Sequence, residues 1–200
     1  MTIDILIFDG FDDLDGFGPF EVLKGAGIET RFVTIEPQDV VTSAHGARIV
    51  PDGVLGDPDL VIVPGGGWND RAGEGAYYEA RRGRIPNALK RRHQQGGRIG
   101  SVCTGAMLLA EAGILTGRDA ITHHDAIEDL KGFGANVIED ARFVDAGDVI
   151  TAAGVTSGID MALHIVEQSR GEEIAAARAA DIEWTGQRRD GAPVGAGATG

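Results

Sequence analysis

Arg98-Ile99-Gly100-Ser101-Val102-Cys103-Thr104-Gly105-Ala106-Met107-Leu108-Leu109-Ala110 holds the break from strand to helix on which the fold turns. A short apolar run ends at Cys103, and a helical apolar pattern starts directly after it. Ser101 and Gly105, two positions to either side, are small, as a sharp turn between a strand and a helix requires. This is the layout of a nucleophile elbow, with sulfur in place of the serine oxygen. The N–H groups that open the helix would point at the sulfur and favour thiolate over thiol. Cys103 is the only cysteine in the chain. A lone cysteine also reads as a small buried hydrophobe. Its place at a strand end is what speaks for chemistry, because open α/β sheets gather their sites at the carboxyl ends of strands.

Outward from the elbow the same alternation repeats. Residues 3–8 read as a buried strand, followed by a turn at Asp9-Gly10 and a helix over 15–24. Residues 30–35 form the next strand, and 40–50 give two short β runs split by His45-Gly46. Leu60–Val63 runs into Pro64-Gly65-Gly66-Gly67, and 77–95 reads as one helix with arginines on its outer face. The strand over 99–102 leads into a helix over 104–112, then a short strand over 120–122 and a short helix over 126–131. Residues 143–152 read as a hairpin around Ala146-Gly147, and the last helices fall at 158–168 and 172–183. Buried strands alternating with amphipathic helices predict a three-layer α/β/α sandwich around a mostly parallel sheet. One domain is expected over residues 1–185, with 186–200 as a flexible, polar, glycine-rich tail.

Eighteen basic against 31 acidic residues leave a net charge of −13, and only Lys24, Lys90 and Lys131 are lysines. Such a surface repels nucleic acid and anionic membrane, and it predicts neither as a partner. Self-repulsion of this size is best tolerated where salt screens it, which points to a high-salt cytoplasm. A single cysteine excludes an internal disulfide and a thiolate-rich metal site. Met1-Thr2-Ile3-Asp4 starts directly on a strand, without the basic and apolar segments of a signal peptide. No apolar run approaches the ~20 residues of a membrane span, so a soluble cytoplasmic protein is expected.

Three glycine-bearing turns follow strands: 64–67, the elbow itself, and 152–158. Glycine lets a backbone N–H come close to a ligand. Gly66 or Gly67 together with the Thr104 N–H would make an oxyanion-hole-like pair. The alternative, a phosphate cradle, lacks both a G-x-G-x-x-G opening the first helix and a Walker lysine. Asp15 opens the first helix among Leu14, Phe17, Phe20 and Val22. It suits an N-cap, and a partly desolvated carboxyl there, at the same sheet edge as Cys103, can also carry a raised pKa and shuttle protons. His123 and His124 follow a strand end and read either as surface residues or as a base or donor to the pocket. His45, His93 and His164 have no helpful spacing, and no metal-ligand set emerges.

Taken together, 14–23, 63–67, 101–106, Thr122-His123 and 151–160 resemble the ThiJ/PfpI superfamily of flavodoxin-like cysteine proteins, related to class I glutamine amidotransferases. The resemblance runs from residue 3 to about 184 and is strongest to the isocyanide hydratase-like branch. It implies Cys103 as nucleophile, Asp15 as the acid paired with it, and Thr104 as the residue beside the nucleophile whose hydroxyl helps to hold the site. It further implies backbone donors at Gly66 and Thr104, an apolar Val155 facing the thiolate, and a homodimer. Phe17, Phe20 and Val155 would shelter a hydrophobic substituent. Peptidase-like members place histidine directly after the cysteine; Thr104 stands there instead, so a Cys-His peptidase mechanism loses its orienting partner. The implied reaction is hydration of a small-molecule isocyanide to an N-formamide through a Cys103 thioimidate, with no cofactor. Two other readings stand beside it: a glyoxalase- or deglycase-like enzyme acting on reactive carbonyls, and a redox sensor or ligand-binding module built on an oxidisable cysteine.

Overall fold

Thr2-Ile3-Asp4-Ile5-Leu6 is apolar apart from Thr2 and Asp4, and it forms β1 (Thr2–Leu6) in the interior of the central sheet. The buried Asp4 carboxylate is met by the Arg31 fork, with Nη2 at 2.8 and 2.9 Å from its two oxygens. A charge there is tolerated only because it is paired and hydrogen-bonded. The computed structural model describes residues 1–186, so all but the first residue of the tail expected over 186–200 lies outside the described residues.

Chain order runs from β1 through α1 (Asp13–Gly25), β2 (Glu29–Thr34), the ribbon of β3 (Val41–Thr42) and β4 (Arg48–Ile49), and β5 (Gly53–Val54) to β6 (Leu60–Val63). Then come α2 (Ala76–Arg82), α3 (Arg84–Gln94), β7 (Arg98–Val102), α4 (Gly105–Glu111), β8 (Asp119–Ala120), a 3₁₀ turn at His124–Ala126, α5 (Ile127–Gly132) and β9 (Asn136–Val137). The chain closes with β10 (Phe143–Asp145), β11 (Val149–Ala152), α6 (Ser157–Arg170) and α7 (Glu172–Asp181).

The central sheet has seven strands in the order β10-β11-β7-β6-β1-β2-β5. Every pair is parallel except the antiparallel β10–β11 hairpin. α1, α6 and α7 pack together as one helical layer, and α2 to α5 pack as the other. This is the expected three-layer sandwich. β1 is flanked by β2 on one side and β6 on the other, so the chain reverses its direction of winding there. Ligand crevices of open α/β sheets form at such a switch point, outside the carboxyl ends of the strands.

Several elements differ from the sequence reading. The helix expected over 77–95 is two helices, broken where Gly83 turns left-handed at φ 71° and donates its N–H to Glu79 and Ala80 carbonyls. Pro86 explains why the helix cannot run through, since it has no N–H for the Arg82 carbonyl. The first helix starts two residues early, at Asp13, and its cap is Asp12, whose Oδ1 accepts the Leu14 N–H at 3.1 Å. Asp15 is therefore not the N-cap. The short strand expected at 120–122 lies at Asp119–Ala120, and Thr122 instead spends its hydroxyl on the Cys103 carbonyl at 2.9 Å. β5 and β9 span two residues each, too short for any alternation to show.

The elbow is packed at its limit. A Cβ added to Gly105 would sit 2.1 Å from the Val63 carbonyl oxygen and 2.8 Å from that of Pro64, both backbone atoms. Gly105→Ala is expected to cost at least about 2 kcal/mol, as overpacking into a fixed backbone does. Thermal unfolding should register this as a fall in Tm of roughly 4–8 °C; an unchanged Tm would mean the elbow is looser than described.

Candidate active site

Cys103 is the residue at which β7 stops. Its backbone is left-handed, at φ 55°, a conformation that non-glycine residues adopt only when their surroundings impose it. Its N–H lies between the Ala152 and Ala153 carbonyls, at 3.1 and 3.0 Å, and its own carbonyl accepts from Thr122. Those bonds hold the bend and turn the sulfur toward a cavity of about 270 Å³. Cys103, Thr104, Gly66, Gly67, His123 and Val155 line that cavity with Asp12, Trp68, Asn69 and Asp70. The cysteine is 6% exposed, so the thiol is reached only through the cavity.

Asp15 occupies the first turn of α1 and is completely buried. Its Oδ2 accepts the Gly65 N–H at 2.9 Å. Oδ1 is buried with no hydrogen-bond partner, and the Cys103 thiol is close enough to the carboxyl to act on it. Burial holds the Asp15 carboxyl well above the usual carboxylate range, and the charge of Asp12 adds to this; the bonds to Gly65 and Cys103 act against it. A carboxyl held up in this way keeps its proton to higher pH than an exposed aspartate and can pass it to a neighbour.

The thiol departs from the expected thiolate. Burial pushes it up strongly, and the charge of Asp15, when ionised, pushes further; the Thr104 N–H and hydroxyl pull the other way and do not prevail. α4 has only seven residues, too short to overcome that desolvation through its dipole. Thr104 Oγ1 accepts the Gly66 N–H at 3.0 Å, which leaves its proton for the sulfur. Gly66 is consequently not free to serve as the expected oxyanion donor. Gly67, left-handed at φ 65°, lines the cavity itself.

His123 does reach the cavity. Its Nδ1 accepts the Asp125 N–H at 3.3 Å, which assigns the proton to Nε2. Burial and the neighbouring His124 lower its pKa, so the ring is neutral near pH 7. His123, His124 and Asp125 bring ligand atoms within 4.8 Å of one another. The two rings stack, however, with centroids 4.1 Å apart and a 33° tilt, and His123 Nδ1 is already committed. Phe17 is not brought to the cavity: its ring packs edge-on against Phe32 at 5.1 Å, while Phe20 stacks on the same ring at 4.6 Å. Both serve the seam between α1 and β2. Asp12, Trp68, Asn69 and Asp70 were not expected; the signal for the last three was their position directly after the 64–67 glycine turn.

A larger cleft, of about 720 Å³, lies between Met1, Asp57–Asp59 and Arg92–Arg98, where β7 begins. Its walls hold no cysteine, serine or threonine.

A flavodoxin-like α/β sandwich with a cysteine on an elbow and a buried carboxyl beside it defines a class of cysteine protein. The chain belongs to the DJ-1/PfpI family, whose model matches residues 1–168. It is 32% identical over 180 residues to an isonitrile hydratase of Pseudomonas putida, covering 88% of this chain and 75% of that protein. It is 29% identical over 187 residues to protein DJ-1alpha of Drosophila melanogaster, covering 90% and 83%. The crystal structure of Drosophila melanogaster DJ-1beta superimposes with a TM-score of 0.79 over 92% of this chain and 98% of that one, at 21% identity, a likeness of fold. Among the described residues no helix is long and apolar enough to cross a membrane.

Asp15 also carries a stability signature. Its folded pKa is raised, so above about pH 4 the unfolded chain releases a proton that the folded chain retains. Stability then falls as pH rises, by up to about 1.4 kcal/mol per unit until the folded carboxyl ionises. Asp15→Asn removes this loss, and its Tm relative to wild type should climb as pH rises from about 4 in a calorimetric series, until the folded carboxyl ionises. A constant difference across that range would show that burial does not hold the carboxyl neutral.

Proposed function

We propose that the protein hydrates isocyanides to N-substituted formamides, with Cys103 as nucleophile and Asp15 as the group that moves protons. The observation that supports this reading best is the buried, unpartnered Oδ1 of Asp15 beside the elbow thiol. A neutral carboxyl against a neutral thiol can deliver one proton and take another without leaving a net charge in a dry site.

The Cys103 sulfur bonds to the terminal carbon of the isocyanide while Asp15 gives that carbon its proton. The proton leaving sulfur restores the carboxyl, and the product is a thioimidate with one new C–S and one new C–H bond. Water then adds through oxygen to the same carbon. One water proton ends on nitrogen, the other returns to sulfur through Asp15 as the C–S bond breaks, and the formamide leaves. The Thr104 hydroxyl, fixed by Gly66, donates to the sulfur and stabilises it both as it attacks and as it departs. No cofactor enters the balance. The likeness to an isonitrile hydratase favours this electrophile.

The neutral His123 in the cavity wall supports a second reading, action on reactive carbonyls such as methylglyoxal, where an imidazole can serve as donor to the carbonyl oxygen.

Purified protein incubated with alkyl and aryl isocyanides should release formamide. Cys103→Ala should abolish turnover, and Asp15→Asn should lower kcat by about 10²–10⁴, the span of general acid–base catalysis. Alkylation of Cys103 by iodoacetamide should meanwhile persist in Asp15→Asn, because the amide fills the volume of the neutral carboxyl and leaves the thiol in place. Absence of formamide from the wild type, with methylglyoxal consumed instead, would replace this reading with the second.

A further inference from the structure

The wall of the cavity over Cys103 carries a sign. Of its lining residues Asp12 and Asp70 are acidic and none is lysine or arginine. The cation adjacent in sequence, Arg71, does not line the cavity; its guanidinium lies 5.1 Å from the centre of the Tyr77 ring. Lysine is equally absent from the rim, and the histidine there is uncharged near neutral pH. Asp12 is half-buried, and its charge is felt at Asp15, at Cys103 and at His123, so it acts on the reacting atoms themselves. Capping α1 occupies its Oδ1 without neutralising it. Trp68 supplies an aromatic wall with its indole N–H turned outward to Asp129 at 2.8 Å. An aromatic face beside uncompensated carboxylates attracts positive charge.

We infer that this cavity selects cationic electrophiles over anionic ones, through Asp12 and Asp70. Resting on the isocyanide reading, the inference assigns as preferred substrates isocyanides whose substituent carries an ammonium group, and as poor ones those carrying a carboxylate or phosphate. An anion entering the cavity would be desolvated against two carboxylates with no cation to receive it.

The test uses the field and not the turnover, so that it stands apart from the fate of the hydratase reading. The full chain is labelled at Cys103 with a cationic trimethylammonioethyl methanethiosulfonate and an anionic sulfonatoethyl one. In each case the cysteine sulfur forms a disulfide with the reagent's thioethyl sulfur, and methanesulfinate leaves with the electron pair. The cation-to-anion rate ratio is normalised to that of N-acetylcysteinamide. Wild type should exceed the small thiol by about tenfold, and Asp12→Asn and Asp70→Asn should each reduce the ratio by about threefold, the scale of one unit charge acting through a partly screened site. Asn retains the helix cap at position 12, so the first variant removes charge and keeps the fold. Glu173→Gln, on an exposed part of α7, should leave the ratio unchanged. A wild-type ratio equal to that of the small thiol would overturn the inference. So would a ratio indifferent to both aspartates, which would trace the preference to the net charge of −13. Failure of both reagents to label Cys103 would overturn it too, because the cavity would then admit no electrophile.

Discussion

Cys103 sits in a left-handed turn that its own side chain disfavours, and two carbonyls at the end of β11 hold it there through one N–H. Strain of this kind costs on the order of 1–3 kcal/mol and survives only where the surroundings over-determine it. Here the glycines supply the room: a Cβ on Gly65 would come within 2.6 Å of the Thr104 nitrogen. β6, β7 and β11 therefore have to meet in this register for the sulfur to face the cavity at all. The adjacent N–H groups of Gly65 and Gly66 anchor the Asp15 carboxyl and the Thr104 hydroxyl, and so tie α1 and the elbow to the same turn.

The same compression sets the electrostatics. Packing that aims Asp15 at Cys103 also removes both from water, so each is driven toward its neutral form. A site of this type holds its protons until an electrophile arrives and then exchanges them within the pair. Desolvation makes the carboxyl a competent donor at the expense of the stability an ionised surface aspartate would give. Asp12 lies at the edge of this economy. It stabilises α1 as a cap while its charge opposes ionisation of the nucleophile.

Support for the far side of the cavity comes from a clamp outside it. Arg142 donates to Asp160 at 2.8 Å and to Thr156 at 3.1 Å, and the Trp184 N–H reaches the other Asp160 oxygen at 2.9 Å. Ala153 gives its N–H to the Arg142 carbonyl and its carbonyl to Cys103. The turn that carries Val155 is thus tied at once to the elbow, to the start of α6 and to the segment after α7. Asp160 is 2% exposed, and its charge is tolerated because every side of the carboxylate is bonded.

Local pattern was enough for much of this. The apolar runs at Leu60–Val63 and before Cys103, the small flanks of the elbow and the glycine turn at 64–67 are legible because strand burial and turn geometry are dictated within a few residues. The break at Gly83 was equally present in the chain, with Pro86 to enforce it. Asp12 capping in place of Asp15 is a local bond to Leu14 that the sequence also carried, whereas Phe17 and Phe20 turned to Phe32, and Trp68 and Asp70 facing the cavity, were decided between separate elements. The charge state of the pair belongs to this second group. Side-chain chemistry by itself establishes that residues 15 and 103 can exchange a proton; whether they rest charged or neutral depends on how much water the packed sheet and helices exclude, and that is a property of the assembled fold.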